Sequence, residues 1–177
     1  PDTAYQVKIT AWNRDDAGSE PVEATFRTLA IPIDTGDIDP NSRTSVKQSY
    51  AGYLANTFTP AGFTGNVNTC DAGATSPEFR QAQLDQVNWF RNLNNLNDVT
   101  LNATMTDQAQ QAALIMSASG RLSHYPDSTW ACWSTVGSVG ASKSNLSLGT
   151  IQHIGLYMND PGPNNAPVGH RRWLLYP

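Results

Sequence analysis

Two histidines stand where this chain could do chemistry. His124 closes the tripeptide L-S-H at Leu122 to His124, and His170 lies in the closing run V-G-H-R-R-W-L-L-Y-P from Val168 to Pro177. A neutral imidazole can take a proton, give one, or bind a divalent metal through one ring nitrogen. Neither segment holds another titratable base, so any proton transfer there falls to the imidazoles. Taken singly, each has a plainer reading. His124 could be a hydrogen-bonding residue just past a helix C-terminus, and His170, beside Arg171 and Arg172, could be an exposed basic turn. The third histidine, His153, sits one helical turn before Tyr157 and reads as the flank of a helix. The chain has no G-x-S-x-G elbow, no H-E-x-x-H, no phosphate loop and no EF-hand pattern.

Composition narrows the partners. With 177 residues the chain can hold one domain and part of another, and 39% hydrophobic content is ordinary for a globular protein. Only 15% of residues are charged and the formal net charge is −4, so there is no basic stripe to neutralise several phosphates, and nucleic acid is not an expected partner. No apolar run approaches the roughly 20 residues of a membrane helix. Pro1 opens inside a strand-like pattern, so a targeting signal, if the parent protein has one, is expected outside this chain.

The only two cysteines, Cys70 and Cys132, are too far apart for a C-x-x-C motif, and no nearby histidine suggests a zinc knuckle. Two buried free thiols remain one reading. A disulfide is the other, and it would enclose both long helices and contribute about 4 kcal/mol in the chain-entropy model. The bridge is the expectation, and with it an oxidising compartment.

The elements that must position the histidines follow from periodicity. Tyr5, Val7, Ile9 and Ala11 alternate with polar residues. After a turn-forming stretch over Asn13 to Pro21, Val22, Ala24 and Phe26 alternate again, which predicts a hairpin over residues 1–29. Residues 30–76 are rich in Thr, Ser, Gly and Pro and read as a linker. It includes a short helix capped by Asn41 or Ser42 with Val46, Tyr50, Tyr53 and Leu54 on one face, and a packed loop with Phe58 and Phe63. Ser76, Pro77 and Glu78 make a helix start, with the helix running to about Asn94. A second helix from Thr104 or Thr106 turns Ala109, Ala112, Ala113, Ile115 and Met116 inward and stops at Gly120. A third, capped by Thr150, ends at Asp160-Pro161-Gly162. Thr129 to Gly149, full of Ser and Gly, is expected to be irregular with short extended pieces.

These pieces resemble two families. Thr3-x-Tyr5-x-Val7-x-Ile9 and the later Phe26-x-Thr28 resemble the last two strands of a fibronectin type III domain. Gln83 to Arg91 (Q-x-x-x-V-N-x-F-R), L-S-H at 122–124, S-N-L-x-L-G at 144–149, Y-M-x-D-P-G at 157–162 and the closing G-H-R segment resemble a bacterial-type CAP domain. That superfamily takes in the cysteine-rich secretory, antigen 5 and pathogenesis-related proteins, also called SCP-like extracellular proteins. The resemblance implies an α+β fold. Residues 77–177 would form a CAP-like α-β-α sandwich, truncated before the strands that complete its sheet and preceded by the hairpin remnant of a fibronectin type III sandwich.

The same resemblance implies a large cleft in which two histidines and two glutamates can hold a divalent metal such as zinc, and it places His124 and His170 on the histidine positions. The glutamates have no counterpart: the chain has only Glu20, Glu23 and Glu78. Ser144-Asn145-Leu146 stands where the first carboxylate belongs, and Asp160 either supplies the second or caps the turn at Pro161. The expected ligand cleft is therefore His124, Ser144, Asn145, Asp160 and His170, with His124 and His170 as metal ligands if a metal binds. The expected function is a secreted, non-catalytic binding module for an extracellular small molecule, lipid, glycan or protein. The alternative is a metal-assisted peptidase or esterase using the His124 and His170 cleft.

Overall fold

Alternation at period two forms the first unit. In the computed structural model the described residues are 3–11, 18–28, 38–149, 153–163 and 166–177, and the chain divides into two units, Pro1–Ile33 and Asp34–Pro177. In the first, strands β1 (Thr3–Ile9) and β2 (Val22–Thr28) pair antiparallel, with Tyr5 opposite Phe26, Val7 opposite Ala24 and Ile9 opposite Val22. The apolar positions thus share one face. Ile9 and Val22 on it are 63% and 70% exposed, so that end of the face has no cover among the described residues. Lys8 and Glu23 pair across the strands at 3.4 Å, an exposed contact of little weight. Of the predicted turn-forming stretch Asn13 to Pro21, residues 13–17 lie outside the described residues.

The second unit is helical. Helix α1 (Arg43–Thr57) starts where the Ser42 hydroxyl accepts the Ser45 N–H, and α2 (Pro77–Asn92) starts where Ser76 accepts that of Phe79. The two meet through an aromatic cluster: Tyr53 stacks on Trp89 at 4.6 Å, Phe90 meets Tyr53 edge-on at 5.2 Å, and the Trp89 indole donates to Ser49. The described part of the expected linker, residues 38–76, is therefore more than a tether, although Phe58 of the expected packed loop is 71% exposed.

Helix α3 (Ala103–Ser119) starts ahead of both expected positions, Thr104 and Thr106, because the Asn102 side chain caps the Met105 N–H. It buries Ala112, Leu114, Ile115 and Met116, while Ala109 and Ala113 face outward. The disulfide forms between Cys70 and Cys132, 62 positions apart, and encloses α2 and α3.

The stretch expected to be irregular contains a helix, α4 (Thr135–Lys143), capped by Ser134. Glycine costs about 1 kcal/mol in a helix interior, which is why the sequence argued against one. Tertiary packing overrides that cost. A Cβ on Gly140 would lie 2.1 Å from the Gln108 carbonyl oxygen, and one on Gly137 would lie 2.6 Å from the Ile115 side chain. The i, i+3, i+4 stripe of Gly137, Gly140 and Ala141 lets α4 lie almost backbone to backbone on α3, with Trp130 and Leu146 packed on the small core of Ala112, Met116 and Ala141.

The chain finishes with α5 (His153–Asn159) and α6 (Gly169–Leu174). The expected cap at Thr150 lies outside the described residues. The G-H-R segment is thus helical. Among the described residues the hairpin is the only sheet, and the second unit contributes one isolated bridge, Asn66 to Asp71. The fold is mixed helix and strand, but no described segment of the second unit supplies the middle layer of the expected sandwich. Its periodic segments repeat at helical spacing, and the others are turn-forming.

Candidate functional site

Helix α3 stops at Gly120, whose left-handed backbone (φ 63°) lets its N–H cap the Met116 and Ser117 carbonyls. The chain then returns toward α4, and His124 Nδ1 lies 2.8 Å from the Ala141 carbonyl oxygen. That carbonyl is in the last turn of α4, where no intrahelical donor remains. A carbonyl only accepts, so Nδ1 carries the proton and Nε2 of the neutral ring keeps its lone pair.

His170 is held by a different acceptor with the same result. Asp160 ends α5 in a left-handed conformation (φ 48°), with its side chain fully buried. One carboxylate oxygen lies 2.8 Å from His170 Nδ1, and the other accepts the backbone N–H of His170 at 3.0 Å and, more weakly, that of Arg171. Burial alone would raise this carboxyl. The hydrogen bonds from the His170 ring and from the two backbone N–H groups outweigh it and hold Asp160 below the ordinary carboxylate range. Val168, just before α6, is also left-handed (φ 49°), an uncommon conformation for a β-branched residue.

Tyr157 joins these pieces. Its hydroxyl donates to the Asn145 carbonyl at 2.9 Å, its ring centroid lies 5.2 Å from that of His170, and burial raises its pKa. The Asn145 amide in turn donates to the His170 carbonyl at 3.3 Å. Arg91 of α2 fastens α6 from below. Only 5% exposed, its guanidinium donates to the Asn97, Leu174 and Tyr176 carbonyls at 2.7, 2.8 and 2.9 Å.

A cavity of about 790 Å³ opens between the end of α4 and α6, and His124, Ser144, Asn145 and His170 all line it. Four of the five expected cleft residues therefore share one cavity. Asp160 does not line it and stands behind His170 instead. Lys143, Trp173 and Leu174 contribute to the wall and were not singled out from the sequence. Trp173 was findable, since it follows His170 by three positions and so shares its side of a helix. Lys143 became visible only with α4. His153 opens α5, and its side chain lies outside the described residues.

Two imidazoles with Nδ1 engaged and, among the described residues, no hydrogen-bond partner at Nε2 are arranged as metal-binding histidines are, one with a carboxylate and one with a carbonyl behind it. The donor count falls short. An open zinc site uses about three protein ligands, and among the described residues no group of three His, Cys, Asp or Glu side chains is placed to hold an ion. Asp160 is committed to His170. The residues present do not fit the two-histidine, two-glutamate set.

The family model for CAP, the cysteine-rich secretory protein family, matches residues 84–177, just over half of the chain and every segment that lines the cavity. No curated protein and no solved structure matches the chain.

Proposed function

The chain belongs to the cysteine-rich secretory protein family, CAP, and from that premise we propose that it is a non-catalytic binding module of a multidomain extracellular protein, of the bacterial type. Its ligand, an extracellular small molecule, lipid, glycan or protein segment, occupies the cavity of His124, Ser144, Asn145 and His170. One observation carries this reading: the cavity has the volume of a ligand site, and its wall holds hydroxyl, amide and imidazole groups but no carboxylate. A water bound there would have no carboxylate beside it to take its proton. The Cys70–Cys132 bridge supports an oxidising, extracellular setting. Residues 1–29 are read as the closing strands of a fibronectin type III-like module, 30–76 as a linker with a helix, and 77–177 as the CAP-like domain.

The alternative, a metal-assisted peptidase or esterase at His124 and His170, has one observation in its favour, the two engaged Nδ1 atoms with no hydrogen-bond partner at either Nε2 among the described residues. One experiment separates the readings. The full chain is followed by NMR against a panel of soluble glycans, fatty acids and peptides, alongside peptide and ester hydrolysis assays. Binding that shifts the His124, Asn145 and His170 resonances and disappears in Ser144→Trp, with hydrolysis at background, is the expected result. Turnover that disappears in both His124→Ala and His170→Ala would establish the hydrolase instead.

A further inference from the structure

The wall of this cavity departs from the charge of the chain around it. The net charge is −4, yet beyond residue 128 the only carboxylate is Asp160, against Lys143, Arg171 and Arg172. Asp160 is buried behind His170, with its carboxylate oxygens taken up by hydrogen bonds from His170 and Arg171, and it is not part of the wall. Arg171 is also engaged, donating to the Met158 and Asn159 carbonyls. Lys143, exposed in the last turn of α4 and part of the cavity wall, makes no ion pair among the described residues. A cation on a wall that itself carries no carboxylate gives the rim beside it a locally positive field.

The rest of the wall combines hydrogen-bonding side chains, the aliphatic Pro167 and Leu174, and one flat aromatic. Trp173 is 71% exposed, with Tyr176 tilted beside it at 6.1 Å between ring centroids. An indole left in water at a cavity edge offers a platform with apolar faces and a polar edge. Ser144, half-buried, has no hydrogen-bond partner for its hydroxyl among the described residues. A fatty chain would need an enclosed apolar channel, whereas Lys143, Ser142, Ser144, Asn145 and both imidazoles stand along this wall. A sugar ring presents one face of C–H groups and a rim of hydroxyls. That matches an exposed indole set among Ser and Asn side chains.

Resting on the binding-module reading, we propose that the cavity takes an anionic saccharide, with its acidic group against Lys143 and a sugar ring stacked on Trp173. The field recruits the charged ligand, Lys143 gives a charge-assisted hydrogen bond, and the aromatic and the polar side chains fix the ring.

Calorimetric titration of the full chain with a galacturonic acid hexamer, its fully methyl-esterified form, a sulfated hexasaccharide and palmitate tests this. The methyl ester keeps every sugar contact and removes only the charge. The acidic hexamer, the sulfated hexasaccharide or both should bind, with the ester at least tenfold weaker than the acid where the acid binds. Lys143→Gln should raise Kd about tenfold, the weight of one charge-assisted hydrogen bond, and Lys143→Arg should restore it. Trp173→Ala should cost about tenfold and Trp173→Phe less. Both side chains are exposed, so the melting temperature should hold through all four variants. Equal affinity for acid and ester, affinity untouched by Lys143→Gln and Trp173→Ala, or no binding of either anionic saccharide overturns the proposal. Palmitate binding blocked by Ser144→Trp, with no saccharide bound, overturns the saccharide while leaving a binding cavity. Cleavage of a hexamer would instead overturn the non-catalytic reading.

Discussion

Asp160 grips His170 twice, through the ring at Nδ1 (2.8 Å) and through the backbone N–H (3.0 Å), so a single carboxylate fixes both the start of α6 and the rotation of its imidazole. Asp160→Asn keeps the size of the side chain but removes the charge and places an amide N–H where one acceptor stood. Losing these charge-assisted bonds should cost about 2 kcal/mol in urea denaturation. The His170 ring, no longer obliged to carry its proton on Nδ1, should show a mixed tautomer population in its ¹⁵N NMR spectrum.

The same carboxylate sets an acid limb. Asp160 titrates below the ordinary carboxylate range in the folded chain because its hydrogen bonds outweigh burial. A group whose folded pKa is depressed contributes stability that is fully present above its unfolded pKa, about 4, and is lost as pH falls through the folded value. Wild-type stability attributable to Asp160 should therefore hold above about pH 5 and decline below pH 4, and Asp160→Asn should flatten that part of the curve. Denaturation midpoints at several pH values measure it, and an unchanged acid limb in the variant would remove Asp160 as its cause.

Arg91 is buried, pairs with no carboxylate among the described residues, and donates to three carbonyl oxygens, two of them at the end of α6 and in the tail. Arg91→Met fills much of the same volume but leaves those carbonyls without their donor. A loss of about 3 kcal/mol is expected. Hydrogen exchange should also quicken for the amides of residues 170–176, while those of α3 keep protection relative to the global stability. Uniform acceleration across both helices would mean that Arg91 stabilises the fold without specifically seating α6.

What could be read from the sequence divides along physical lines. The hairpin, the starts of α1 and α2, the Gly120 stop and the disulfide were legible because each rests on local chemistry: alternation, a capping hydroxyl, a left-handed glycine, a pair of cysteines. Helix α4 was not, because Gly137 and Gly140 lower local helix propensity and the compensating contact comes from α3, more than 20 residues earlier in the chain. The site followed the same division. His124, Ser144, Asn145 and His170 were identifiable by type and resemblance, and they share a cavity. Asp160 was identifiable by type too, but its orientation behind His170 depends on the left-handed turn that ends α5.

The bridge between Cys70 and Cys132 encloses 62 positions of sequence separation, and its removal should act mainly on the unfolded chain. Replacing both cysteines with serine should lower stability by about 4 kcal/mol in the chain-entropy model. The native, unreduced protein should take up no thiol alkylator. Alkylation of either cysteine before reduction would show that the bridge is not formed in solution, and with it would go the main physical argument for an oxidising compartment.

Gly140 gives the most direct check on how α4 is seated. On an exposed helix face a glycine-to-alanine change stabilises by about 1 kcal/mol, because alanine has the better helix propensity. Here the added methyl would sit 2.1 Å from the Gln108 carbonyl oxygen, which is rigid backbone in the middle of α3. Nothing flexible can yield, so α4 must move outward or tilt, and overpacking of this kind costs about 1–3 kcal/mol. The two effects have opposite signs, and the clash is the larger. Gly140→Ala should therefore lower the melting temperature. Because the Ala141 carbonyl would move with the helix, its hydrogen bond to His124 Nδ1 should weaken as well, shifting the His124 ring resonances. A more stable Gly140→Ala protein with unchanged His124 signals would show that α4 does not lie against α3 at this distance, and the seating of His124 would need another cause.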